Sequence, residues 1–422
     1  MVSNTFYNSA KRLLEEGKLK EEQIDIAVRR VIMLKDKLGL FENPYRDADE
    51  ELEKQIVLCN AHREAAYRAA CESVVLLKNN GVLPLENGGK KILLSGPFAD
   101  SRQMLDAWSA YGKEEECITL QEAFESRTEV LCIPGVGITE YDEEQAEKAY
   151  SAGKECDVIV LALGEHPLMS GESGSRMDIS LPGYQEIFAE KMFELGKPVI
   201  VVMYSGRPLA IPSIAEKADA VLEAWFPGTE GNRAVYDVVS GNVSPSGRLT
   251  MSFPYGTGQC PIYYNRFSTG RPAKDVYHSA RFSSRYVDGP CVPLYPFGYG
   301  LTYTEFEYSD ISLDKEIMKR GESVAVSCVV RNVGERKGIE TVQLYIQDVS
   351  GSRVRPIRML RGYERIELLP GEQRKVEFTI DEDMLKFYTI DDEYKAEAGK
   401  FKAYISPDAS KDTYVEFELL ES

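Results

Sequence analysis

Five apolar runs between residues 91 and 228 restrict what this chain can fold into more than any other feature. They read KILLSG, EVLCIPG, DVIVLALGE, PVIVVMYSG and AVLEAWFPG. None alternates polar with apolar residues, so neither side of the resulting strand meets water. Helix-like segments lie between them: TLQEAFES, DEEQAEKAYSAGKE, LPGYQEIFAEKMFELG and PSIAEKA, with EGNRAVYDVVSG after the last. Buried strands alternating with amphipathic helices predict an α/β sandwich, a mostly parallel sheet of five or six strands covered on both faces.

From about Phe306 the period changes. SVAVSCVVRNVG, TVQLYIQD, RKVEFTID, KFKAYIS and YVEFELL carry a period of two, with turn signals such as LLPGE between them. This pattern predicts a β-sandwich of the immunoglobulin or fibronectin type III kind. The expected domains are residues 51–254 for the α/β sandwich, a Pro-, Gly- and Tyr-rich connector over 255–305, and the β-sandwich over 306–422. Ahead of them, Ile24, Val28, Val31, Leu34 and Leu38 recur at helical spacing, and Gly39 and Pro44 supply a stop. A second helical stretch is expected over about Glu51 to Glu72.

Charge and cysteine usage narrow the functions. Among 422 residues, 50 lysines and arginines face 68 acidic residues, a formal charge of −18, which repels a nucleic-acid backbone. Eight scattered cysteines without a C-x-x-C pair read as structural thiols rather than metal ligands. No metal and no organic cofactor is implied. The first residues lack the pattern of a secretory signal and no stretch reads as a membrane span, so a cytoplasmic protein without a membrane partner is expected.

Ligands of open parallel sheets bind beyond the carboxyl ends of the strands. The longest polar segment there is GEHPLMSGESGSR, residues 164–176. Its two glutamates, Glu165 and Glu172, are candidates for acid/base work, because a carboxyl group that protonates a leaving oxygen must reach into a cleft. Solvated surface glutamates are the competing reading. Trp108 of DAWSAYG either stacks on a sugar or plugs a gap between domains. His166 reads as a packing residue. The GVG of residues 135–137 and the GYG of residues 298–300 lack the third glycine of a dinucleotide fingerprint, which weakens a nucleotide-binding reading.

Taken in order, ACESVVLLKNNGVLPL, GPFAD, DAWSAYG, GEHPLMSGESGSRMDISLPGYQ, SGRPLAI, AWFPGTEGNRAVYDVVSGNVSPSGRLTMSFP, YPFGYGLTYTEFEYS and RPIRMLRGYERIELLPGE are similar to the β-glucosidases of glycoside hydrolase family three, periplasmic bacterial type. The resemblance runs over essentially the whole chain. It implies a (β/α)8 barrel followed by the two domains above, with residues 1–50 matching the barrel's last helices and a linker. It implies that Glu172 is the general acid/base, that Trp108 belongs to an aromatic clamp on the sugar, and that Glu165 and Arg176 support substrate binding, Arg176 by anchoring the loop. The nucleophilic aspartate of that family lies on the barrel; Asp310 in YSDISL echoes its neighbourhood only superficially. The implied ligand is a β-glucoside or oligosaccharide and the implied partner a barrel polypeptide or a second copy of the chain, with exposed apolar residues around Ile24, Val28 and Val31. A periplasmic or secreted setting follows if a segment precedes this chain. A non-catalytic carbohydrate-binding or scaffold protein is the alternative.

Overall fold

The computed structural model describes all residues except 1–3, 47, 86–88, 274–275, 278–279 and 422. It divides into two units, residues 1–62 and 63–422.

The first unit is helical, with α1 (Thr5–Glu15), α2 (Glu21–Lys37), α3 (Glu50–Ile56) and the start of α4 (Asn60–Ser73). Gly39 ends α2 as its sequence predicts: at φ +65°, it lets the Leu40 N–H reach the Lys35 carbonyl at 3.0 Å and its own N–H reach that of Asp36 at 2.8 Å. None of α1, α2 or α3 contains a buried residue. Val28 and Val31 are each about half exposed and Ile24 is partly covered. The stretch expected as one helix over residues 51–72 is two, because the chain turns extended at Val57 and left-handed at Leu58 (φ +54°).

In the second unit a six-stranded sheet is built from β1 (Val75–Asn79), β2 (Ile92–Ser95), β3 (Val130–Cys132), β4 (Val158–Gly164), β5 (Val199–Tyr204) and β6 (Ala220–Glu223), in the order β1-β6-β5-β4-β2-β3. All neighbours are parallel except β1, which runs antiparallel along β6. Every residue of β4 and β5 is buried. Alternate side chains divide between two cores. Val160, Ala162, Val202 and Leu222 pack with Phe124 of α5 (Leu120–Glu125) and Tyr236 and Val239 of α9 (Gly231–Val239). Ile159, Leu161, Val201 and Met203 pack with Ala149 of α6 (Glu143–Lys154), Phe188 and Met192 of α7 (Gln185–Phe193) and Ile214 of α8 (Pro212–Lys217). Two covered faces are the physical reason that these strands carry no polar alternation.

The expected connector leaves this body and returns to it. Phe253 bridges Tyr295, the Leu249 N–H bonds to the Tyr299 carbonyl at 2.8 Å, and the Leu301 N–H bonds to the Leu76 carbonyl at 2.8 Å. Tyr295 is thereby buried in the second of the two cores.

Beyond it stand β7 (Phe306–Leu313), β8 (Ile317–Met318), β9 (Val324–Asn332), β10 (Gly338–Asp348), β11 (Met359–Leu368), β12 (Gln373–Ile380), β13 (Phe387–Tyr388), β14 (Tyr394–Lys395), β15 (Gly399–Ser406) and β16 (Val415–Leu419). They form sheets ordered β11-β10-β15-β16-β8 and β12-β9-β7, with β13 and β14 as a separate ribbon. Val326, Cys328 and Val330 of β9 share one core with Val342, Leu344 and Ile346 of β10 and Phe401 of β15, as facing sheets of a sandwich must. Asp310 is exposed at a bulge of β7, with φ +52°. A buried ion pair, Arg248 to Glu340 at 2.8 Å, links the sandwich to the α/β domain.

Candidate active-site tongue

The loop after β4 begins where three backbones crowd together. A Cβ on Gly96 would stand 2.3 Å from the Ala162 carbonyl oxygen, and one on Gly164 would stand 1.9 Å from that of Tyr204. Glycine at the carboxyl ends of β2 and β4 is what permits that approach. Gln185, at the start of α7, fixes the exit: its Oε1 accepts from the Gly164 N–H at 2.8 Å, and its Nε2 donates to the carbonyls of Gly164 at 2.7 Å and Ile138 at 3.0 Å.

Glu165 follows, wholly buried. Its Oε2 accepts from Arg176 Nη1 at 3.1 Å, and its Oε1 accepts from Arg207 Nε at 3.2 Å and the Gly206 N–H at 3.1 Å. Both guanidiniums then tie the loop to itself. Arg176 Nη2 donates to the Ser180 carbonyl at 2.9 Å; Arg207 Nη2 donates to the carbonyls of Gly174, at 3.0 Å, and Met169. The result is a tongue closed at its base by one carboxylate and two arginines.

The resemblance implies Glu165 among the substrate-binding residues, but in the fold its carboxylate has no solvent-facing side. Burying a carboxylate is costly unless cations and hydrogen bonds replace water, and here they do. Arg176 is the other half of that arrangement, as an anchor. Glu172 is at the opposite extreme, exposed between Gly171 (φ +96°) and Ser173 (φ +64°). A serine in the left-handed region turns the tip sharply at a modest conformational cost. Trp108, 63% exposed, stands against the same tip: a Cβ on Gly171 would be 3.5 Å from its Nε1 and 3.2 Å from the Cβ of Ala107. His166 is a local cap whose Nδ1 accepts from the Leu168 N–H at 3.1 Å.

Four residues of the rim were not singled out in the sequence: Arg207, Gly206, Gln185 and Glu223. SGRPLAI after a buried strand was the available signal for the first two. Glu223, at the end of β6, is wholly buried; its Oε1 accepts from Ser205 Oγ at 3.1 Å and the Trp225 N–H at 2.9 Å, and its Oε2 finds no partner. Burial above all, with a smaller push from the charge of Glu165, drives this carboxyl well above the usual carboxylate range.

A family model described as the glycosyl hydrolase family 3 C-terminal domain matches residues 74–303, and one for a fibronectin type III-like domain matches residues 340–409. The chain therefore belongs to glycosyl hydrolase family 3, through its C-terminal domain. A periplasmic beta-glucosidase of Salmonella typhimurium is 39% identical over 97% of this chain and 57% of its own length. The beta-glucosidase of Listeria innocua solved with isofagomine superposes with a TM-score of 0.91 at 39% identity, covering 97% of this chain and 57% of that one. A mutant of the Listeria enzyme solved with laminaribiose gives 0.92 at 38% identity, covering 99% and 58%. The chain thus spans a little over half the length of these relatives.

All eight cysteines are free thiols. Among the described residues no cluster of acidic, cysteine or histidine side chains has the form of a metal site, and no helix is long and apolar enough to cross a membrane.

Proposed function

We propose that this chain carries the acid/base arm of a retaining β-glucosidase-like hydrolase acting on terminal β-D-glucosyl residues, and that it is inactive or nearly so until a (β/α)8 barrel supplies the nucleophile. The observation that carries the reading is Glu172 at the exposed tip of a tongue clasped at its base, with Trp108 alongside. Retaining hydrolysis needs two carboxyl groups about 5 to 5.5 Å apart, one attacking the anomeric carbon and one protonating the departing oxygen. Glu172 is the proton donor in the first step and, once the leaving group has gone, takes a proton from the attacking water. Trp108 offers a sugar its flat face. Glu165 and Arg176 are positioning residues that act through the tongue. The eight free thiols favour a reducing compartment, whereas the Salmonella relative is named as periplasmic.

The test is hydrolysis of an aryl β-glucoside by this chain, alone and mixed with a separately produced barrel of a matching enzyme, with Glu172→Gln as control. Turnover only in the mixture, reduced by roughly a hundredfold or more in the variant, is the expected result. Turnover by the chain alone, or a Glu172→Gln mixture as active as the parent, overturns the assignment.

A further inference from the structure

In a chain whose formal charge is −18, the β-sandwich carries Arg353, Arg355, Arg358, Arg361 and Arg365 within one short segment. Four of them meet a carboxylate. Arg353 Nη2 lies 2.5 Å from Asp392, Arg355 Nε 3.0 Å from Asp348 and Arg358 Nη2 2.7 Å from Asp412, and Arg365 pairs with Glu72. Arg361 is the exception. Among the described residues its guanidinium has one acceptor, the Met359 sulfur at 3.6 Å. A thioether accepts weakly and brings no charge.

Strand register explains how it came to be there. In β11, Gly362 pairs with Leu344 and Leu360 pairs with Tyr345, so Arg361 is the extra residue of a bulge. A bulge re-aims a side chain. This one brings Arg361 to a hollow at the rim of the sandwich core, where Met359, Met384, Leu385 and Phe401 form apolar walls and Asp348 and Arg355 the charged ones. Burial lowers the Arg361 guanidinium from its ordinary value, and the like charge of Arg355 pushes the same way, against the phenols of Tyr394 and Tyr264. A buried carboxyl such as Glu223 answers this cost by keeping a proton; a guanidinium stays charged at any working pH. Its counter-charge has to come from outside the described residues.

We infer that Arg361 and Arg355 form a binding site for one small, singly charged, weakly hydrated anion of the halide class. Asp348 takes only Nε of Arg355, so both guanidiniums have N–H groups left to donate, and hydrogen bonds between ionised groups are the strong ones. The hollow has room for a single small ion rather than a tetrahedral oxyanion. Charge selects in the same direction. Asp348, held by Arg355 and by the Ser350 N–H at 3.2 Å, repels a second negative charge, and stripping water from a doubly charged anion costs far more than from a halide.

The test is the chlorine NMR linewidth of sodium chloride solutions that contain the full chain, because exchange of chloride with a protein site broadens the line in proportion to the bound fraction. The expected result is an excess broadening that saturates with a dissociation constant of roughly 10 to 100 mM. Sodium bromide is expected to relieve it, and sodium sulfate at matched ionic strength to leave it. In Arg361→Met the excess falls by roughly threefold or more, since the charged donor is gone. That variant fills the hollow with an apolar chain and should unfold no earlier than the parent in chloride-free buffer, which separates loss of the site from loss of the fold. Arg353→Gln, which removes a more exposed and paired arginine of the same segment, is expected to keep the broadening. A parent crystal soaked in sodium bromide locates the ion, with an anomalous peak expected within hydrogen-bonding reach of Arg361 and Arg355. Equal broadening by parent and Arg361→Met overturns the inference. So does relief by sulfate as strong as by bromide, or a soaked crystal without a peak beside Arg361.

Discussion

Glu165 and Glu223 end strands of the same sheet, separated only by β5, and both are wholly buried, yet the protein treats them oppositely. Glu165 receives Arg176, Arg207 and a backbone N–H. Glu223 receives a hydroxyl and a backbone N–H, with one oxygen left over. Removing water from a carboxyl group disfavours its charged form, and only a cation or several donors can reverse that. At Glu165 the cations do more than pair with the acid, because the same arginines also hold the carbonyls of Gly174 and Ser180. At Glu223 the donors are one hydroxyl and one backbone N–H, and burial keeps the proton on the carboxyl to a higher pH. A buried acid thus serves as a clasp where cations converge on it and as a neutral filler where they do not.

Taking the acid out of the clasp tests this most severely. Glu165→Leu leaves two guanidiniums, each no more than about a fifth exposed, without their anion, a change that typically costs about 3 to 5 kcal/mol. We expect that loss in denaturant unfolding of the α/β domain, together with new protease sensitivity over residues 168–177. Unchanged stability would show that the arginines find other partners and that the clasp is incidental. A smaller effect is expected one residue before Arg207. A Cβ in Gly206→Ala would lie 2.1 Å from Ser170 Oγ and 2.6 Å from its Cβ, so the tongue must move. Overpacking of this kind costs about 1 to 3 kcal/mol. Proteolysis confined to the tongue, with the sheet intact, is the outcome to look for; a tongue as resistant as in the parent would show that Ser170 gives way locally.

The fold was far more legible in the sequence than the clasp. β4 and β5 announced themselves because burial on both faces removes polar residues from a strand, a local signal. β1 was obscured because Val75–Asn79 directly follows a helix and its antiparallel pairing with β6 spans most of the domain. Glu172 and Trp108 stood out as candidates because their motifs lie within short windows, and the resemblance implied a role for each. Arg207 lies 42 positions from Glu165, and the two meet only because β4 and β5 align Gly164 with Tyr204. No period or spacing in a sequence encodes such a meeting; strand register does.

Glu223→Gln, expected to leave stability untouched near pH 4, gives the sharpest test of the contrast. The native state keeps the Glu223 proton to a higher pH than the unfolded chain, which releases it near the ordinary glutamate value of about 4.3. Below that value both states are protonated and the residue contributes nothing that depends on pH. As pH rises above it, the unfolded chain binds fewer protons than the native one, and stability falls by at most about 1.4 kcal/mol per pH unit until the native carboxyl also ionises. Glutamine keeps the shape and the acceptor for Ser205 and Trp225 but cannot ionise. Parent and variant should therefore match near pH 4 and diverge with the variant ahead towards pH 7, in unfolding measured across that range. Parallel curves would mean that Glu223 is charged in the native state and has a cation for a partner, and the contrast with Glu165 would fall.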